Sequence, residues 1–176
     1  MRAGYRWRQG LSAWLPALGA LLGLALPGAV RAAETVRDAA SGLAVVLPEG
    51  FAATVVEPMS GDAQINISFR GQAACRVVFA ARREPRPSRE AVQARVDTAA
   101  WREELGRRLP QGPAVVQRFA QDDAIGGTAE VAGALPMSLF VLETPAGRTT
   151  LFCQGDEQPT PRQRWRSVAA GLRPPQ

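Results

Sequence analysis

The chain has 176 residues, 46% of them hydrophobic and 21% charged, which is the range of an ordinary globular protein with room for one domain. All 21 basic residues are arginine, histidine is absent, and Tyr5 is the single tyrosine. That inventory excludes imidazole catalysis, imidazole metal ligation and lysine Schiff-base chemistry before any position is considered.

Residues 1–32 predict a secretory leader. Arg2, Arg6 and Arg8 supply a positive start, Leu11 to Leu26 is apolar and uncharged, and Pro27 and Gly28 break the run. Val30 and Ala32 are small enough for the two recognition positions of a cleavage site before Ala33. The alternative is an uncleaved anchor helix over Leu11 to Val30, against which stand the internal Pro16 and Pro27. No cysteine stands at the end of the apolar run, so a lipid-anchored form is not expected, and Trp7 separates Arg6 from Arg8, so a twin-arginine signal is not supported. A mature domain of residues 33–176 retains 17 arginines against 16 acids, a net charge of only +1. The isoelectric point near 10.8 then reflects arginines that do not titrate, not a nucleic-acid-binding surface. The expectation is an exported protein, periplasmic or secreted, with no nucleic-acid partner and no stable membrane span once the leader is removed.

The mature chain opens with strand-like segments. Leu43 to Leu47 and Phe51 to Val56 flank Pro48-Glu49-Gly50 and predict an early hairpin. Gln64 to Arg70 alternates polar and apolar residues, which predicts a strand with one wet face and with Ile65, Ile67 and Phe69 toward the core. Ala74 to Ala81 repeats the alternation and puts Cys75, Val77 and Phe79 on one face. Arg82 to Pro87 is a loop, after which Ser88 is a natural N-cap for one long helix reaching Leu109. Val92, Val96, Ala99, Leu105 and Leu109 form its apolar stripe, with Trp101 anchoring it. The mixed charges of Arg102, Glu103, Glu104, Arg107 and Arg108 predict a solvated, mutually paired face in place of a binding patch.

Leu109 to Pro113 stops that helix. Two strands follow, Ala114 to Ala120 and Thr128 to Leu135, with Gln121 to Gly127 as their connection and Gly126-Gly127 as turn punctuation. Ser138 to Thr144 and Arg148 to Cys153 flank Pro145-Ala146-Gly147, a second hairpin. Thr160 and Pro161 then predict the start of a closing helix with Trp165, Val168, Ala169 and Leu172 on its apolar side.

Cys75 and Cys153, the only cysteines, predict one structural disulfide in an oxidising compartment. With no histidine and no short Cys-x-x-Cys spacing they offer neither a zinc site nor a thiol-exchange motif.

Two main helices against about six or seven antiparallel strands define an α+β domain. The segment Gly42 to Phe51, the central helix, the long hairpin and the helix from Trp165 to Leu172 together resemble the PsbP-type fold. That fold is shared by the photosystem II extrinsic subunit, a Ran-binding import factor and small bacterial envelope proteins of the DcrB type. The resemblance implies an accessory or binding role. It carries over no functional residue, because no site motif of the family is visible here.

Elimination leaves few catalytic options. Ser-His-Asp and Cys-His nucleophiles and HExxH zinc sites need residues the chain lacks, and no phosphate-binding glycine loop occurs. Paired carboxylates remain as the route to a hydrolase. Asp122 and Asp123 are adjacent and suit backbone capping in a turn, Glu103 and Glu104 point apart on a helix, and Asp122 to Gly126 lacks the alternating ligands of a calcium loop. The reading is therefore a non-enzymatic binding or accessory protein of the bacterial envelope, with no cofactor, no metal and an envelope protein or peptide as partner. The alternatives are a carboxylate-dependent hydrolase and a small-ligand carrier.

Overall fold

In the computed structural model, residues 33–57, 62–109, 114–132, 135–155 and 161–176 are described; the leader expected over residues 1–32, the helix stop at Pro110 to Pro113 and the cap at Thr160 lie outside them. Among the described residues, ten strands and three helices follow in the order β1 (Glu34–Arg37), β2 (Ala44–Leu47), β3 (Phe51–Val56), β4 (Ala63–Phe69), β5 (Gln72–Ala81), α1 (Arg89–Val96), α2 (Ala99–Arg107), β6 (Val115–Gln121), β7 (Ala124–Val131), β8 (Met137–Glu143), β9 (Gly147–Gln154), α3 (Pro161–Ala170) and β10 (Leu172–Arg173). Seven strands form one antiparallel sheet in the order β3-β4-β5-β9-β8-β7-β6, and β1-β2-β10 form a second, three-stranded one. The architecture is α+β, as the element count predicts.

The large sheet joins two meanders, β3-β4-β5 and β6-β7-β8-β9, which meet at the β5–β9 seam. One face packs against α3 and the small sheet through Ile65, Ile67, Val77, Phe140 and Leu151, beneath Leu43, Val45, Trp165, Val168 and Leu172. On the other face, α1 and α2 place Val92, Val96, Trp101 and Leu105 over Ile125, Ala129, Leu139 and Val141. Strand β8 lies between the two layers and is buried along its whole length.

Four local expectations need correction. The early hairpin does not form, because β2 pairs with β1 on one edge and β10 on the other and has no free edge for β3. Gly50, at φ 84°, turns the chain so that Phe51 faces Phe69 on β4. The long helix is two helices: Asp97 ends α1, and the Thr98 hydroxyl accepts a hydrogen bond from the Trp101 amide and caps α2. This interruption leaves Ala99 exposed while keeping Val96, Trp101 and Leu105 buried.

Gly126 and Gly127 are not turn residues. Strand β7 starts at Ala124, directly after a tight turn in which Asp122 has φ 50°. A Cβ at Gly126 would collide with the Val141 carbonyl of β8, and one at Gly127 would come within 3.1 Å of Leu105, the Gln117 carbonyl and the Trp101 ring. These glycines serve close packing. Finally, the closing helix stops at Ala170, and Leu172-Arg173 pairs with Val45 and Ala44 as β10.

Candidate functional site: the uncovered half of the central sheet

Register defines the site. Thr54, Asn66, Arg76, Phe152, Leu139, Ala129 and Val116 are successive cross-strand partners in one row spanning the large sheet. Opposed residues in adjacent strands point to the same face, so the whole row lies on the α1–α2 side. Composition changes at its middle. Leu139 and Ala129 are buried beneath the helices, whereas Thr54, Asn66 and Arg76 are exposed and Phe152 is half-buried at the boundary.

Among the described residues, the helices cover the β6–β8 half and nothing lies over the β3-β4-β5-β9 half. A groove of about 550 Å³ occupies it, lined among others by Thr54, Asn66, Arg76, Phe152 and Gln154. Among the described residues its lining contains no acid. Among the described residues Arg76 has neither an ion pair nor a side-chain hydrogen bond. The Asn66 carbonyl oxygen is occupied by a 2.8 Å hydrogen bond from Gln64 Nε2, which leaves the Asn66 NH₂ to donate outward. The groove therefore offers hydrogen-bond donors and one positive charge beside an aromatic ring.

Directly behind it lies the disulfide. Cys75 and Cys153 are joined with Sγ–Sγ 2.06 Å and stand opposite each other across the β5–β9 seam, one residue before Arg76 and one after Phe152. Both sulfurs face the opposite, buried layer, where Cys153 is wholly inaccessible.

None of the candidate catalytic acids is free. Asp122 lies 3.6 Å from Arg173, and Asp123 lies 2.8 Å from Arg89. Glu103 pairs with Arg107, and Glu104 with Arg108 at 2.7 Å and with Arg148 at 3.8 Å. The Arg108 hydrogen bond holds the Glu104 carboxyl below the usual carboxylate range. Asp122 and Asp123 sit at the β6–β7 turn while Glu103 and Glu104 ride on α2, so the two candidate pairs lie on different elements. Among the described residues, no group of three or more acids or cysteines could hold a metal ion. No helix among them is long and apolar enough to cross a membrane.

Two buried acids escaped the sequence reading. Glu143 at the end of β8 is 1% exposed and receives Arg82 from the segment after β5, Arg148 Nε at 2.8 Å, and Arg95 and Trp101 Nε1 at 3.5 Å. It ties α1 and α2 to the sheet, and no water-sized space remains in the adjoining cavity beside Trp101 and Arg148. Glu130 on β7 accepts two hydrogen bonds from Arg166, at 3.0 and 2.9 Å, and so fixes α3 to the other face. Both acids sit in strands that read as apolar runs, and only their arginine partners, 36 or more residues distant except for Arg148, explain their burial.

No family model matches the chain, and comparison with curated proteins finds no match. Among solved structures, the chain is similar to the solution structure of cyanobacterial PsbP (CyanoP) from Synechocystis sp. PCC 6803, at 14% sequence identity, covering 89% of this chain and 98% of that one with a TM-score of 0.48.

Proposed function

We propose that this chain is an exported, non-enzymatic binding protein of the bacterial envelope, a single domain of residues 33–176 released from a leader of residues 1–32, which holds a protein or peptide partner on the open half of its large sheet. The observation that carries this reading is the division of one sheet face into an apolar half sealed by two helices and a polar half with nothing over it among the described residues. An uncovered sheet face that is wet, concave and rich in donors suits recognition. The side-chain inventory supports binding over turnover: without histidine, lysine or a tyrosine in the mature domain, general acid-base chemistry falls to carboxylates, and the candidate carboxylates are held by arginines. The Cys75–Cys153 bond suits an oxidising compartment.

Cross-linking in intact cells tests the reading. Tagged wild-type protein should carry a defined partner that an Asn66→Glu variant, altered only on the open face, loses. Equal recovery of the partner by both forms contradicts the assignment of the face, and wild-type protein that stays alone at native abundance contradicts the binding role.

A further inference from the structure

Resting on that reading, we infer that the groove receives the free carboxyl terminus of an extended peptide or protein chain. Among the described residues, Arg76 has only neutral neighbours, no acid in the groove lining and no ion pair. A guanidinium presents a planar fork of donors that matches a carboxylate, and Asn66, its direct cross-strand neighbour, has its NH₂ left to donate beside it. On the other flank, Phe152 is the cross-strand partner of Arg76 and offers a half-buried ring to the apolar side chain that a terminal residue would bring.

Size and shape favour a chain end over a diffusible acid. The groove crosses β3, β4, β5 and β9, three interstrand spacings or about 14 Å. That matches roughly four extended residues. It is an open trough on a sheet face, whereas sites for small molecules enclose most of the ligand. Thr54 and Gln154 at its two ends add side-chain partners for the backbone of a bound segment.

The test uses the oxidised protein, immobilised, and a pool of random tetrapeptides with free carboxyl termini mixed with the same pool amidated. Retention is measured by mass spectrometry. Free-acid peptides should be retained about tenfold over their amides, the effect of one charge-assisted contact. Arg76→Gln should abolish that preference. Arg118→Gln should keep it, since Arg118 is exposed on β6 and pairs with Asp97. Equal retention of acid and amide, retention of neither, or a preference that survives Arg76→Gln overturns the inference. A parallel pool of N-acetyl amino acids retained as strongly as the tetrapeptides overturns it in favour of a small acid. A partner that still depends on Asn66 in cells, with no peptide preference here, removes the carboxyl-terminal assignment and leaves the binding face standing.

Discussion

Cys75 and Cys153 are direct cross-strand partners on β5 and β9, so the disulfide lies on the seam where two otherwise separate meanders join. The residues that follow Cys75 and precede Cys153, Arg76 and Phe152, form the centre of the open groove on the reverse face. The covalent link and the proposed binding row are consecutive rungs of one ladder.

A staple closing a separation of 78 residues should stabilise the fold by about 4.5 kcal/mol through the unfolded chain. Urea unfolding of the Cys75→Ala, Cys153→Ala double variant should show a loss of that order, and added reductant should leave the variant unchanged. A variant as stable as the oxidised wild type contradicts a structural role.

The carboxylate of Glu143 is the hub that holds α1 and α2 to the sheet. Glu143→Gln should cost about 3 kcal/mol, because it removes the buried carboxylate that is the counter-charge of the partly buried Arg82 and Arg148. Arg95→Gln should cost about 1 kcal/mol or less, since that side chain is half-exposed. Equilibrium unfolding of the two variants checks the ranking; equal losses would remove Glu143 from the centre of the network.

Two glycine substitutions separate packing from turn chemistry. Gly126→Ala should unfold the domain or lower its stability by more than about 2 kcal/mol, since the new methyl collides with the Val141 backbone. Gly155→Ala should be within about 1 kcal/mol of wild type, because its methyl makes only an ordinary 3.8 Å contact with Trp165. Thermal melts decide, and a tolerated Gly126→Ala contradicts the close β7–β8 approach.

Acid should weaken the domain through identifiable groups. Hydrogen bonds from the Ser41 side chain and backbone hold the Asp38 carboxyl below its ordinary range, and the Arg108 hydrogen bond does the same for Glu104. A carboxylate depressed by folding contributes stability that is complete above its unfolded value, about pH 4, and is lost as pH falls through the lower folded value. The Asp38→Asn, Glu104→Gln double variant should therefore be less stable than wild type at pH 6, with the gap closing as pH falls through the lowered folded values. Curves separated by a constant gap would contradict this origin.

Much of this architecture is legible in the sequence where periodicity is strict. Gln64 to Arg70 shows its strand and its wet face, and that face is the one Asn66 presents in the groove. Cys75, Val77 and Phe79 share a buried face as their alternation predicts, which places Arg76 on the open side. What stays hidden depends on distant partners. Nothing in Ala44 to Leu47 shows that its edges are taken by residues at both ends of the domain, and nothing near Gly126-Gly127 announces that Trp101 and Leu105 will press on them. The break at Asp97-Thr98 carried a local signal, a threonine able to cap the helix after it, which the apolar spacing masks. The groove itself arises from where α1 and α2 stop, a tertiary fact that no single segment contains.

The most direct test of the binding face is site-specific photo-cross-linking in living cells, with the reactive group placed at Asn66 on the open half and, separately, at Arg118 on β6. A discrete adduct is expected from position 66, diminished by Arg76→Gln, and none of comparable yield from position 118. An adduct from position 118 with none from position 66 would contradict the assignment of the face.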